Sequence, residues 1–323
     1  MTEPRRIAAV VVTYNRLTLL QELLERLDQV PELTEVLVID NASSDGTSEW
    51  LASALDDAQA GGPLDAHRSV RVLARTLTTN RGGAGGFHDG LAWAMERGAE
   101  LAWLMDDDGL PDDGCLARLL EEDDLDFWGP VVVDREQPER LVFPIRLPGG
   151  TRVVHDLADV RRAAAVPSTG SGNDRIDGIV IPFNGVLVTR GLVERIGLPR
   201  EEYFIWGDDH EYRLRAEEAG ARIATVVDAQ VRHPAVGALG TPMLGGRTTY
   251  NHTPSDLKHY CMARNNLLNL RDYKGWAYAL AFVLKTLWFY LFTHPEPKRI
   301  VLSAQAWIAA LRGDFTGHER FLQ

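Results

Sequence analysis

Two cysteines in 323 residues, Cys115 and Cys261, leave no disulfide framework and no Cys-rich zinc motif. Positive charge is also scarce. With 34 Lys and Arg against 46 Asp and Glu, the formal charge is −12, opposite in sign to that of a general nucleic-acid binder. After MTEPRR comes a short strand-like run, without the long apolar segment and small-residue cleavage site of a signal peptide. This start predicts a cytoplasmic protein. Internal repeats are missing too, which argues against a solenoid or propeller. The charge deficit is uneven: seven of the basic residues but only four of the acidic ones lie from Arg271 onward. An acidic body therefore carries a mildly basic tail.

What is present is a strict alternation of strand and helix patterns. RRIAAVVVTYN is β-branched and of buried-strand length, and leucines at helical spacing follow in RLTLLQELLERLDQV. TEVLVIDNASSDGT, SEWLASALDDA, VRVLARTLTTN, GGFHDGLAWAMERGA and ELAWLMDDD repeat the alternation. Such a chain predicts an α/β fold with a doubly wound, mainly parallel sheet. Ligands of these sheets sit at the carboxyl ends of the strands, and Thr13–Asn15, Asp40–Asn41, Asn80–Gly83 and Asp106–Asp108 all fall there. Residues 148–176, rich in Gly, Pro, Ser, Arg and Asp, read as a mobile excursion. Beyond a Gly-rich stretch at 237–246 come a polar helix over about 254–271 and the aromatic run WAYALAFVLKTLWFYLF. The boundary falls near residue 235, separating an α/β domain at 1–235 from a helical region at 236–323.

Three constellations suggest chemistry. Asp106, Asp107 and Asp108 supply the oxygen ligands that Mg2+ or Mn2+ prefers, and such an ion completes its shell with phosphates. Acidic capping of a helix starting near Pro111 is the alternative. Asp208 and Asp209 stand at a helix start, where one carboxylate could act as general base toward a hydroxyl, or merely cap the helix. His233, in VRHP at a strand end, could complete a metal site or be structural. NRGGAGGFHDG contains no G-x-G-x-x-G and follows the third strand, which disfavours a dinucleotide-binding dehydrogenase. Its glycines would let backbone approach a base or ribose.

In this order VVVTYNR, VIDNASSDGT, NRGGAGG, DDD and WGDD resemble family 2 glycosyltransferases of the GT-A fold, over residues 5 to about 235. VFPIR, PFNGVLV, YFIWGDDHE, RHP, GGR, ARNN and THPEPK are similar to the actinobacterial galactofuranosyltransferases that start cell-wall galactan. That resemblance implies inverting transfer of galactofuranose from UDP-galactofuranose to a polyprenyl-diphosphate-linked rhamnosyl-GlcNAc acceptor. Rhamnosyltransferases using dTDP-rhamnose share most of this core, and a non-catalytic glycan-binding protein is the rival of another class.

By position, the resemblance assigns Thr13, Tyr14, Asn15, Arg16, Asp40, Asn80, Arg81, Gly82, Gly83, Asp106 and Asp107 to the donor. Asp108, Asp106 and His233 go to a Mn2+ or Mg2+ ion. Asp209, with Asp208 beside it, is the implied base, and Trp206, His210 and Arg247 the acceptor contacts. The glycine after Trp206 shifts that ring one place from the Trp-Asp-Asp sequence of related enzymes. Trp276 to Thr293 spans 18 residues around Lys285, short for a membrane crossing. It reads as a core helix or as an interfacial one, and the lipid-linked acceptor favours peripheral contact with the inner face of the cell membrane.

Overall fold

The first strand, Ile7–Thr13 (β1), is buried at every position, and its side chains feed two cores. Ile7, Ala9 and Val11 pack with the leucines of Leu17–Leu27 (α1) on one face, while Ala8, Val10 and Val12 pack on the other. A strand covered on both faces needs the continuous apolar run seen here. A computed structural model describes residues 5–59, 70–150, 152–166, 174–236 and 240–322 of the chain.

Glu35–Asp40 (β2), Thr47–Gln59 (α2), Arg71–Thr76 (β3), Gly82–Glu96 (α3) and Leu101–Asp106 (β4) continue the alternation. β1 pairs in parallel with β2 and β4, and β2 with β3. Then come Leu110–Pro111 (β5), Cys115–Leu120 (α4), Phe127–Asp134 (β6), Arg140–Arg146 (β7), Val153–Asp156 (β8) and Leu157–Ala164 (α5). Arg175–Asp177 (β9), Asn184–Thr189 (β10), Arg190–Ile196 (α6), Asp208–Glu218 (α7) and Ile223–His233 (β11) complete the sheet region. The hairpin Thr241–Met243 (β12) and Thr248–Tyr250 (β13) leads into Asp256–Lys274 (α8), Trp276–Trp288 (α9) and Pro297–Arg312 (α10).

The sheet runs β3-β2-β1-β4-β10-β6-β11-β5, with β7, β8 and β9 attached beside it. The expected parallel, doubly wound half is present. β10, however, is antiparallel to both β4 and β6, so the sheet is mixed beyond β4. Register places Thr13 opposite Asp40 and Val12 opposite Asp106, so the polar strand ends open on one side.

Four expectations need correction. The NRGGAGG glycines do not form a loop, because α3 begins at Gly82. Their smallness serves packing: a Cβ on Gly86 would lie 2.4 Å from Val12 Cγ1, and one on Gly90 equally close to Val10 Cγ1. No helix starts near Pro111, since Leu110–Pro111 pairs with β11 and α4 starts only at Cys115. The described part of 148–176 contains β8, α5 and the start of β9 rather than a mobile excursion, with Val154, Val160 and Ile176 buried in a small core; residues 151 and 167–173 lie outside the described residues. The Trp276–Thr293 segment, mean hydropathy 1.3, is only 22 % buried and so is not a core helix. Among the described residues it is the one helix long and apolar enough to cross a membrane. Of the Gly-rich stretch, 237–239 lie outside the described residues.

Candidate active site

The aspartate trio sits where β4 ends. Asp107 is buried and its Oδ2 accepts a 2.7 Å hydrogen bond from Thr13 Oγ1 at the end of β1. Arg16, at the start of α1, donates from one nitrogen to Asp107 Oδ1 at 3.0 Å and to Asp108 Oδ2 at 2.5 Å. Desolvation, compounded by Asp108, Asp107 and Asp208, drives the Asp106 carboxyl well above the usual range. This collection of anions therefore lacks enough positive charge of its own.

His233 ends β11 and faces the trio. Its Nδ1 lies 2.7 Å from the Pro234 carbonyl, which can only accept, so Nδ1 carries the proton. In the neutral ring, Nε2 is then a lone pair, aimed at Asp108 Oδ1 3.1 Å away. Apart from His233 that oxygen is buried without a hydrogen-bond partner, and against the opposing effect of burial its charge helps raise the imidazole above its ordinary pKa. Two lone pairs facing each other require either a proton on Nε2 or a cation between them. An imidazole held by its other N–H and an unpartnered carboxylate oxygen fit a divalent metal ion. The capping alternative for the trio fails, because no helix starts there.

Across the cleft, α7 begins at Asp208. Asp208 is 6 % exposed, whereas Asp209 is partly exposed and its Oδ1 accepts from the His210 N–H at 2.6 Å. Burial raises both carboxyls above the usual range, and the Asp209 charge adds to the rise at Asp208. His210 is exposed on the same turn.

The segment before these aspartates is unusual. Phe204, Trp206 and Gly207 have φ of 65°, 71° and 90°, all left-handed. Such conformations persist only where the surroundings over-determine them, and here helix α8 does so. Asn265 Nδ2 donates to the carbonyls of Tyr203, Ile205 and Trp206 at 3.1, 3.2 and 2.8 Å, and Asn269 Nδ2 to Gly207 at 2.8 Å. Arg264 Nη2 adds 2.9 Å to Tyr203 O. The Trp206 side chain packs against Met243, Tyr250 and Tyr290, which brings the β12–β13 hairpin beside the loop. Asn265 and Asn269 carry no assigned role in the sequence, where Asn265 stands only within ARNN and Asn269 is one more polar residue of a polar helix.

The expected donor residues surround the other wall. Tyr14 and Asn15 are exposed beyond β1, and Asn15 Oδ1 accepts from the Ser44 N–H at 2.6 Å. Asp40 is buried, with Oδ1 accepting from Ser43 N at 3.1 Å and Oδ2 from the Ser48 hydroxyl. Asn80 Oδ1 accepts from Gly82 N at 2.8 Å. Asn41, which sequence reasoning placed only at a strand end, pins both sides of this turn: Arg81 N donates to its Oδ1 and its Nδ2 donates to Gly82 O, at 2.8 and 2.7 Å. Gly82 must be glycine, because its φ is +68° and a Cβ would fall 1.9 Å from Phe204 O. Gly83 faces open space. Arg81 is engaged by Asp89 and Glu201. Arg247 stands exposed in the hairpin turn, and among the described residues no ion pair links it to the carboxylates.

Comparison with known proteins bears on family and fold. Residues 8–144 match the family model for glycosyl transferase family 2. The chain is 33 % identical to galactofuranosyltransferase GlfT1 of Mycobacterium tuberculosis (strain ATCC 25618 / H37Rv), over 92 % of each chain. It is 25 % identical to dTDP-rhamnosyl transferase RfbF of Shigella flexneri, over 82 % of this chain and 80 % of that one. Its fold is similar to that of mannosyltransferase PcManGT from Pyrobaculum calidifontis, solved in complex with GDP-Man and Mn2+. The TM-score is 0.51 at 19 % identity, covering 99 % of this chain and 79 % of that one.

Proposed function

The chain belongs to glycosyltransferase family 2 and has the GT-A fold, and from that premise we propose that it moves galactofuranose from UDP-galactofuranose onto a polyprenyl-diphosphate-linked rhamnosyl-GlcNAc acceptor. The observation that carries this reading is the facing of Asp108 Oδ1 and His233 Nε2 at 3.1 Å, beside an Asp106 that feels the charge of Asp208. Asp108, His233 and Asp106 would hold Mn2+ or Mg2+, with two oxygen ligands and one imidazole leaning toward Mn2+. Such an ion, when bound, offsets the charge that grows on a leaving nucleoside diphosphate.

The chain's own residues do the rest. Thr13 and Arg16 hold Asp107 and Asp108 in place, and the Asn41-pinned turn at Asn80–Gly83 shapes the donor wall. Asp209 takes the proton from the acceptor hydroxyl. That oxygen bonds to the anomeric carbon from the opposite face as the bond to the UDP oxygen breaks, so configuration inverts in one displacement.

Calorimetric titration of UDP and of dTDP, each with and without Mn2+, tests the donor. UDP is expected to bind tighter and only with the ion. Asp108→Asn should weaken it at least about tenfold, since even outer-shell changes at metal sites cost about 10–100-fold. A preference for dTDP would favour the rhamnosyltransferase reading, which the likeness to RfbF supports. Binding of neither nucleotide would remove the basis of the proposal.

The acceptor's lipid implies a membrane surface. Helix α9 and its π-helical continuation Phe289–Thr293 expose Trp276, Tyr278, Leu280, Leu284, Trp288 and Phe292, as expected of an interfacial helix with aromatic residues at headgroup level. In co-sedimentation with anionic phospholipid vesicles, Trp276→Ser with Phe292→Ser should lower the bound fraction's partition constant about tenfold or more. Unchanged partitioning would refute surface contact through this helix.

A further inference from the structure

Away from the aspartates, His252 follows β13, while His294 and Glu296 occupy the turn between α9 and α10. One ring nitrogen of each histidine and one Glu296 oxygen lie within 4.8 Å of one another. The surroundings fix how these groups point. His259 is wholly buried, its Nε2 lies 2.9 Å from Ser303 Oγ and its ring bonds the Arg299 carbonyl, and we assign the N–H to Nε2. Its Nδ1 is then an acceptor, 3.2 Å from the Tyr290 hydroxyl, which must donate to it. The Tyr290 oxygen in turn accepts from His252 Nδ1 at 3.1 Å. This relay makes His252 an Nδ1–H tautomer and leaves Nε2 as its lone pair.

The carboxylate is oriented as well. Glu296 Oε1 accepts from Arg299 Nε at 3.2 Å, leaving Oε2 on the side of His294, 3.8 Å from its Nδ1. Arg299 is itself paired with Asp256 at 2.9 Å. The His294 ring stacks on Phe289 and is half exposed, so an ion and a water ligand can reach it. Among the described residues the other cluster of this kind, His88, Asp89 and Glu201, differs because Arg81 already binds both of its carboxylates.

We propose that His252, His294 and Glu296 form a separate metal site for a borderline divalent cation of the Zn2+ type. Two imidazoles and one carboxylate are the donor set of three-ligand zinc sites, and imidazole selects such ions over Mg2+. An N–H fixed by an outer hydroxyl is the usual support for a ligating histidine. The ion would staple the β12–β13 hairpin to the α9–α10 turn, beside the loop that precedes Asp208.

The proposal is independent of the donor sugar, and its test uses no activity. Co2+, a spectroscopic substitute for Zn2+, is titrated into the full chain carrying Asp108→Asn and His233→Ala, which removes two of the three ligands proposed for the other ion. One Co2+ should bind with a ligand-field spectrum of low coordination number. Adding the exposed His294→Ala should abolish that binding, and adding Tyr290→Phe should weaken it about 10–100-fold. Absence of binding in the parent double variant, or binding unaffected by His294→Ala, would overturn the site.

Discussion

Asp209→Asn is expected to bind UDP and Mn2+ like the wild type and to lose turnover about 10²–10⁴-fold, the usual contribution of a general base. Of the two adjacent carboxylates, Asp209 is the one that solvent and an acceptor can reach, since Asp208 is buried. The amide retains the size of the side chain and its ability to accept from the His210 N–H, so helix α7 keeps its first turn. What it loses is the capacity to take a proton. The same residue sets a pH dependence. Burial raises its pKa above the usual carboxylate range, so wild-type turnover should fall with acid at a pH above that of an ordinary aspartate. That limb should vanish from the residual activity of Asp209→Asn. Retained turnover in this variant would refute the assignment of the base, and intact binding without any turnover in the wild type would point to a glycan-binding protein instead.

How far the sequence reached can be judged residue by residue. β1 to β4 were legible because buried parallel strands are apolar on both faces, and β1 through Val12 has no polar side chain to hide. The strand-end rule then located Thr13, Asp40 and the aspartate trio without further help. From the residues themselves His233 was legible only as a histidine at a strand end, and its place at a metal came from the family resemblance. Its tautomer depends on the Pro234 carbonyl, which becomes visible only in three dimensions. The start of α3 was misjudged because glycine is a poor helix former, and no local rule says that Val10 and Val12 leave no room for a Cβ. β10 running antiparallel was hidden because strand direction follows from the connections, not from composition. The short strands β8 and β9 lie among turn-forming residues, and β9 pairs with β11, which lies far away in sequence. Asn265 and Asn269 were missed for the same reason, since their partners lie about sixty residues earlier.

Those partners make Asn265→Ala the more informative lesion. Its single NH2 has two hydrogens, shared among three carbonyls of Tyr203, Ile205 and Trp206 in a fully buried position. Alanine strands the Ile205 and Trp206 carbonyls, and leaves that of Tyr203 to Arg264 alone, at about 1–3 kcal/mol for each acceptor left without a partner. It also frees Phe204 and Trp206 from left-handed conformations that store about 1–3 kcal/mol each. Both terms drive the loop to relax. Arg264 and Asn269 still hold Tyr203 O and Gly207 O, so α8 remains docked and the chain should fold with a lowered melting temperature. The relaxed loop ends at Asp208, and a base displaced by about 1 Å costs on the order of 10²-fold in rate. The expected result is therefore a kcat about 10²-fold lower, measured on folded protein, with a smaller change in the KM for donor, because Asp106–Asp108 lie outside the clamp and only Gly82 of the donor wall touches Phe204. A variant that melts earlier but turns over normally per folded molecule would restrict Asn265 to stabilising the fold. A fall in kcat with donor affinity intact would make α8 the element that aims the base, so that catalysis in the sheet depends on a helix from the far end of the chain.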